Sequence, residues 1–279
     1  MDRWRAPVAK GPYRRIQIMQ PQRQFIPALP SGSLVDPQST HGPALDLAAR
    51  AEALNRRWAD ASTEQILEDA LTGDFKGRIA LVSSFGAEAA VLLHLAAQVD
   101  RNLPILFLDT GKHFMETLTY RDILVGRFGF TDARSLEPDA PALAREDAAG
   151  DLWSKNPDRC CHLRKVIPLD TALQEFDAWI TGRKRFQTSQ RAALPLAEVS
   201  DGKIKINPLA NWTEARINQA FKDFKLPRHP LFDEGFASIG CAPCTRRILE
   251  GEDSRAGRWS GSEKTECGIH FGLTDGEGI

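Results

Sequence analysis

Three short apolar runs do most to limit the fold: Arg78-Ile-Ala-Leu-Val-Ser83, Pro104-Ile-Leu-Phe-Leu108 and Ala178-Trp-Ile-Thr-Gly182. Each suits a strand buried in a parallel sheet. Helical patterns follow the first two, over about 87–98 and 115–128. Strand, helix, strand, helix at this spacing predicts βαβ units, hence an α/β fold with a doubly wound, mostly parallel sheet. Leu47, Ala51, Leu54 and Trp58 have the spacing of a helix ahead of the sheet. Ser62-Thr-Glu-Gln65 has the form of a capping box opening another. The stretch 131–158 is less regular, with one short helix expected near 140–149. A further helix is expected from Cys160 and Cys161 toward Phe176, interrupted at Pro168. Asp201-Gly202 between two strand patterns predicts a hairpin. Asn211-Trp-Thr-Glu214 opens a last helix through Phe224.

Composition narrows the class. Of 279 residues, 42% are hydrophobic and 26% charged, an ordinary balance for a packed core. The formal net charge of −1 argues against a nucleic-acid groove or an anionic membrane surface. Any basic patch is then local and suits a small anionic substrate. No run approaches a membrane span, and no apolar signal-peptide core is present near Met1. A reducing, cytoplasmic setting follows, where clustered cysteines bind metal or do chemistry rather than pair as disulfides. Residues 1–43 are rich in proline, lack periodicity and read as a flexible leader. Residues 44–260 read as the α/β domain and 261–279 as a polar, mobile tail.

The five cysteines are grouped. Cys241 and Cys244 have the two-residue spacing of a redox dithiol or half a metal site. Cys160 and Cys161 bring the count to four thiolates, enough for an iron–sulfur cluster or an all-cysteine zinc site. Zinc ligands are usually spaced along a knuckle, so the adjacent pair favours a cluster. Cys267 is left over and is the candidate nucleophile. Lys165 follows Cys161 by four residues, one helical turn on, and is placed to set a charge beside both cluster and substrate. His270, three residues after Cys267, is a candidate for orienting that thiol or its target.

Loops at the predicted strand ends offer anion sites. Ser83-Ser84-Phe85-Gly86 joins the first strand to a helix, where small residues let backbone N–H groups approach an anion. Leu108-Asp-Thr110-Gly ends the second strand, at the edge where open α/β sheets bind ligands. Gly182 ends the third and is followed by Arg183, Lys184, Arg185 and Arg191, cations suited to sulfate or phosphate oxygens. Arg255 and Arg258 stand three apart downstream of the Cys-x-x-Cys.

Taken together, these stretches resemble the assimilatory adenylyl-sulfate (APS) reductases. Those enzymes are relatives of the phosphoadenylyl-sulfate (PAPS) reductases on the adenine-nucleotide α-hydrolase-like (PP-loop) fold. The resemblance runs over about 60–272. It is carried by Ser-Ser-Phe-Gly-Ala at 83–87, Leu-Asp-Thr-Gly at 108–111, Cys-Cys-x-x-Arg-Lys at 160–165 and Ile-Thr-Gly at 180–182. Cys-x-x-Cys-Thr-Arg at 241–246 continues it. Gly-Glu-Asp-x-Arg-x-Gly-Arg-Trp at 251–259 and Glu-Cys-Gly-Ile-His at 266–270 are its most specific parts.

The resemblance implies a [4Fe-4S] cluster on Cys160, Cys161, Cys241 and Cys244, and a catalytic Cys267. It implies a sulfate pocket with Lys165, Arg255 and Arg258, and Arg191 as a further anion contact. Ser83, Ser84, Phe85, Leu108, Thr110 and Gly182 are implied around the nucleotide. The implied reaction reduces APS to sulfite and AMP with reduced thioredoxin, through an S-sulfocysteine. The chain departs from the family pattern at Lys184-Arg185-Phe186-Gln187-Thr188 and at Ser260-Gly-Ser262. A PAPS or dual-substrate reductase is the nearest alternative. A tRNA-thiolating relative lacks its Ser-Gly-Gly-x-Asp-Ser loop here. A four-cysteine interaction domain leaves Cys267 unexplained.

Overall fold

The structure is a computed structural model that describes residues 43–260, 264 and 266–270. The expected leader lies outside the described residues except for Pro43, which opens the first helix.

Two helices come first, α1 (Pro43–Arg57) and α2 (Thr63–Glu68). The capping box is formed: Gln65 N–H donates to Ser62 Oγ at 3.2 Å, and Ser62 N–H to Gln65 Oε1 at 2.8 Å. Then follow β1 (Ile79–Val82), α3 (Ala89–Val99), β2 (Ile105–Leu108), α4 (Met115–Phe128) and β3 (Ala133–Leu136). The short helices α5 (Ala140–Glu146), α6 (Leu152–Lys155) and α7 (Pro157–Cys161) lead into α8 (Ile167–Leu173). The described chain continues through β4 (Ala178–Ile180), β5 (Ala197–Ser200), β6 (Lys203–Ile206) and α9 (Glu214–Asp223).

The sheet order is β3-β2-β1-β4-β6-β5, parallel except between β5 and β6. The chain winds outward from β1 to β3, then returns to the far side of β1 as β4. That reversal opens a crevice beyond the carboxyl ends of β1 and β4. Alternate residues of each strand enter separate cores. Ile79, Leu81, Ile105, Phe107 and Ile180 face one side with α2, α3 and α4. Ala80, Val82, Leu106 and Trp179 face the other with Leu169 and Leu173 of α8. Each fully buried aliphatic contributes about 1.5–3 kcal/mol, so registers that rotate a strand by one residue are strongly disfavoured.

Three expectations are modified. β3 falls inside the stretch expected to be irregular. It is an edge strand with only Leu136 buried, so no apolar run marks it. α3 begins at Ala89, two residues late, because Phe85 (φ 47°) and Gly86 form the turn ahead of it. Pro168 does not break its helix. Between α7 and α8 the backbone widens into a π-type turn, His162–Val166, in which Ile167 N–H donates to His162 O. The wide turn accommodates the N–H that proline lacks.

The hairpin forms as expected, with Asp201 (φ 52°) and Gly202 (φ 69°) both left-handed. Asn55 of α1 covers the edge of β5, donating to Ala197 O at 2.7 Å and accepting from Ala197 N–H at 2.9 Å. No helix among the described residues is long and apolar enough to cross a membrane.

Candidate active site

A cleft of about 250 Å³ occupies the β1/β4 crevice. Ser83, Ser84 and Gly86 line it from the β1 side, Gly182 from the β4 side, and Leu108 from β2. Phe85 does not face it. The Phe85 N–H donates to Ser83 Oγ at 3.1 Å, and its buried ring packs edge-on against Phe107 at 5.5 Å. Phe85 therefore holds the loop from below. α3 starts beside this loop without a side-chain cap, its Ala89 N–H donating to Gly86 O at 3.0 Å.

The cation run after β4 is mostly structural. Arg183 pairs with Glu198 and donates to Asn207 Oδ1 at 3.3 Å. Lys184 Nζ meets Glu88 Oε2 at 2.7 Å, and Gln187 Nε2 donates to the same oxygen at 3.0 Å. These two bonds clamp the β1 loop to the β4 loop. Arg185 Nε donates to Leu194 O at 2.8 Å. Arg183 and Lys184 line the cleft while so engaged, and Arg191, Arg255, Arg258 and Lys165 line it with them.

Arg255 and Arg258 are placed by the same segment that carries the Cys-x-x-Cys. Arg246 N–H donates to Gly257 O at 2.8 Å and Trp259 N–H to Cys244 O at 3.0 Å, stitching 251–259 onto the 241–246 turn. The Arg258 guanidinium lies 4.4 Å from the Trp259 ring centre. Burial lowers the Arg255 pKa to about 10, against the opposing pull of Glu266. Arg258 Nε, Trp179 Nε1 and His270 Nδ1 are buried without a hydrogen-bond partner among the described residues, and all three side chains line the cleft. Unpartnered buried polar atoms of this kind suit a polar ligand.

Beneath the cleft, Cys160, Cys161, Cys241 and Cys244 line one small cavity with Thr110, Arg164, Lys165 and Trp259. Two elements deliver the thiols: the end of α7, and a 3-10 turn over Ala242–Cys244. Ala242 N–H donates to Lys112 O at 2.8 Å, joining that turn to the connection after β2. Thr110 belongs here rather than to the cleft, its buried hydroxyl 3.3 Å from Cys241 Sγ. Arg164 donates to Thr110 O at 2.8 Å and pairs with buried Asp147.

Burial raises the Cys160 and Cys244 thiols. All five cysteines are free. No three His, Cys, Asp or Glu side chains among the described residues already converge on one ion. Four thiols facing one cavity from two rigid turns are a donor set that fits a four-thiolate cluster.

Cys267 lines the cleft and contacts Cys161, which lines the small cavity, while Lys165 lines both. It precedes a 3-10 turn, Gly268–His270, that lies on Val166 of the π-type turn. A hydrogen bond from the Cys161 thiol holds the Cys267 pKa well down, aided by Lys165, the Ile269 N–H and Arg258 against the cost of burial. Burial works against the Lys165 charge, but the attraction of the neighbouring cysteine sulfurs, Cys267 foremost, outweighs it and raises that pKa. His270 is held neutral, first by burial and then by Lys205, Arg183, Arg191 and Arg255.

The residue that motif reading passed over is Glu266. It is buried, with Oε1 2.6 Å from Arg191 Nε and Oε2 3.5 Å from Arg255. Its signal in the sequence is an acid immediately before the odd cysteine, in a region otherwise rich in arginine.

Known proteins resemble this chain over most of its length. Residues 78–247 match the phosphoadenosine phosphosulfate reductase domain. An adenosine 5'-phosphosulfate reductase of Mesorhizobium japonicum is 50% identical over 225 residues, 81% of this chain and 89% of that protein. A phosphoadenosine 5'-phosphosulfate reductase of Gloeobacter violaceus is 39% identical over 224 residues, 78% of this chain and 92% of that protein. The crystal structure of a PAPS reductase from Candida auris superposes with a TM-score of 0.60 at 27% identity, covering 77% of this chain and 100% of that one.

Proposed function

The chain belongs to the phosphoadenosine phosphosulfate reductase family, and on that premise we propose that it reduces adenylyl sulfate to sulfite and AMP with electrons from reduced thioredoxin. The observation that carries this reading is Cys267. It sits under the influence of Lys165 and Arg258 at the inner end of a cleft whose outer walls are the β1 and β4 loops. One cavity thus holds a nucleophile, a cationic cradle and a nucleotide crevice.

The chemistry follows from those groups. AMP phosphate is the leaving group of a mixed sulfate–phosphate anhydride. The Cys267 thiolate attacks sulfur, a sulfur–sulfur bond forms, and the sulfur–oxygen bond to AMP breaks. Lys165 and Arg258, with Arg255 behind them, offset charge on the sulfonyl oxygens as it builds. The intermediate is an S-sulfocysteine on Cys267. A thioredoxin thiolate then attacks Cys267 Sγ, sulfite leaves, and the second thioredoxin thiol resolves the mixed disulfide. Both electrons come from the dithiol. Cys267 passes between the cleft and the partner.

Cys160, Cys161, Cys241 and Cys244 are the residues that would hold a [4Fe-4S] cluster. When bound it supplies fixed charge and a crosslink between α7 and the Cys-x-x-Cys turn at the inner end of the cleft. Free thiols and a four-thiolate site suit a reducing cytoplasm, and the product places the enzyme in sulfate assimilation, supplying cysteine biosynthesis. The test is sulfite release in a thioredoxin-coupled assay, APS against PAPS. APS is expected to give the higher kcat/KM; a clear preference for PAPS reverses the substrate assignment.

A further inference from the structure

The proposed chemistry gives no task to Glu266, although that residue immediately precedes the nucleophile. Its carboxylate meets Arg191 at two points, Nε to Oε1 at 2.6 Å and a terminal nitrogen to Oε2 at 2.5 Å. Both side chains are more than nine-tenths buried. A buried ion pair is poor evidence for stability, because desolvation of two charges consumes most of the Coulombic gain. A two-point carboxylate–guanidinium fork does fix direction. Here it fixes the residue next to Cys267.

The fork is not isolated. Gln187 Oε1 accepts from Arg191, and Gln187 Nε2 donates to Glu88 Oε2 at 3.0 Å. Glu88 ends the β1 loop at the outer side of the cleft. A continuous run of polar contacts therefore joins that loop to the tail: Glu88, Gln187, Arg191, Glu266. The same carboxylate lies 3.5 Å from Arg255. Arg191 and Arg255 are thus engaged by the tail itself, while Lys165 and Arg258 line the same cleft as Cys267.

We propose that Glu266 is the positioning residue of the nucleophile: its carboxylate docks the 266–270 segment on Arg191 and Arg255, and so holds Cys267 toward Lys165 and Arg258. This rests on the reading of Cys267 as the nucleophile. Docking also occupies two guanidinium groups that an anionic nucleotide would otherwise use. The tail and the nucleotide therefore compete for the outer cations. Loss of the carboxylate slows chemistry without weakening nucleotide binding, a pattern that general damage to the cleft does not produce.

The experiment uses Glu266→Ala and Glu266→Gln in the full chain, purified anaerobically. Glu266→Gln keeps the side-chain volume should the alanine variant fold poorly. Single-turnover sulfonation of Cys267 by APS, read by peptide mass spectrometry without thioredoxin, is expected to slow by about 10-fold to 100-fold in both. The Kd for AMP is expected to stay level or tighten. Alkylation of Cys267 by iodoacetamide, which needs no substrate, is expected to quicken as the tail undocks.

Sulfonation within twofold of wild type in both variants overturns the proposal. So does AMP binding that weakens in step with sulfonation, or Cys267 alkylation that is unchanged. If wild-type Cys267 takes no sulfonate, the functional reading fails instead, and the alkylation rates still decide whether Glu266 docks the tail.

Discussion

Gly240 lies flat against the guanidinium of Arg258: a Cβ at position 240 would stand 2.5 Å from Arg258 Cζ. No side chain fits between that backbone and the cation. The absence of a Cβ is therefore what lets Arg258 lie in the cleft beside Cys267.

Gly240→Ala is expected to displace Arg258 while leaving the sheet intact, since the clash is with a flexible side chain. Loss of one cationic donor to the sulfonyl group should cost roughly 3 kcal/mol, about 100-fold in kcat/KM. Kinetics beside a circular dichroism spectrum check both halves. Normal turnover by the variant shows that Arg258 does not act from this position.

Serine at Cys160, Cys161, Cys241 or Cys244 is expected to remove iron, visible absorbance and activity together, since each thiol faces the same cavity. Metal analysis and an absorbance spectrum of anaerobically purified variants suffice. A variant without iron that turns over at the wild-type rate rules out the cluster's role.

Cys267→Ser is expected to retain iron and to bind AMP, because Cys267 stands outside the four thiols and the anion contacts are other side chains. It should release no sulfite, since a hydroxyl is a far weaker nucleophile than a thiolate and cannot form the disulfide that thioredoxin resolves. Sulfonate found on a different cysteine of the wild type would move the nucleophile elsewhere.

His229 gives a pH signature of stability. It is fully buried; its Nδ1 accepts from Leu231 N–H at 3.2 Å and its Nε2 meets Thr117 Oγ1 at 3.0 Å. Burial lowers its pKa to about 4. The unfolded chain takes up the proton near pH 6.5, the folded one not until about 4, so its stabilising effect is complete above 6.5. It is lost as pH falls from about 6.5 to 4, to a total of roughly 3 kcal/mol. Urea unfolding across that range should show the slope in wild type, and His229→Gln should flatten it. Equal slopes in the two proteins would mean that folding leaves the His229 pKa unchanged.

Much of the fold was readable in order along the chain. Ile79–Val82, Ile105–Leu108 and Ala178–Ile180 are buried on both faces, so each is a continuous apolar run that needs no partner to be recognised. Ser62 with Gln65, and Asp201 with Gly202, are local devices whose chemistry acts within four residues. Ala133–Leu136 was not readable, because an edge strand takes its identity from the neighbour it pairs with. The cations after β4 show the same limit. Arg183, Lys184 and Arg185 look like an anion patch, but Glu198, Glu88 and Leu194 O take them up from elsewhere in the chain.

By itself the sequence determined the class of sheet, the grouping of four thiols apart from a fifth, and the strand-end loops that could take a nucleotide. These depend on residue type, period and spacing, which are properties of short segments. Tertiary structure alone decided which of many cations face the cleft, that Phe85 supports its loop from the core, that Thr110 serves the thiols, and that Glu266 engages Arg191 across 75 residues. A charged side chain acquires its role from the partner that desolvates or neutralises it, and that partner is supplied by topology, not by sequence neighbours.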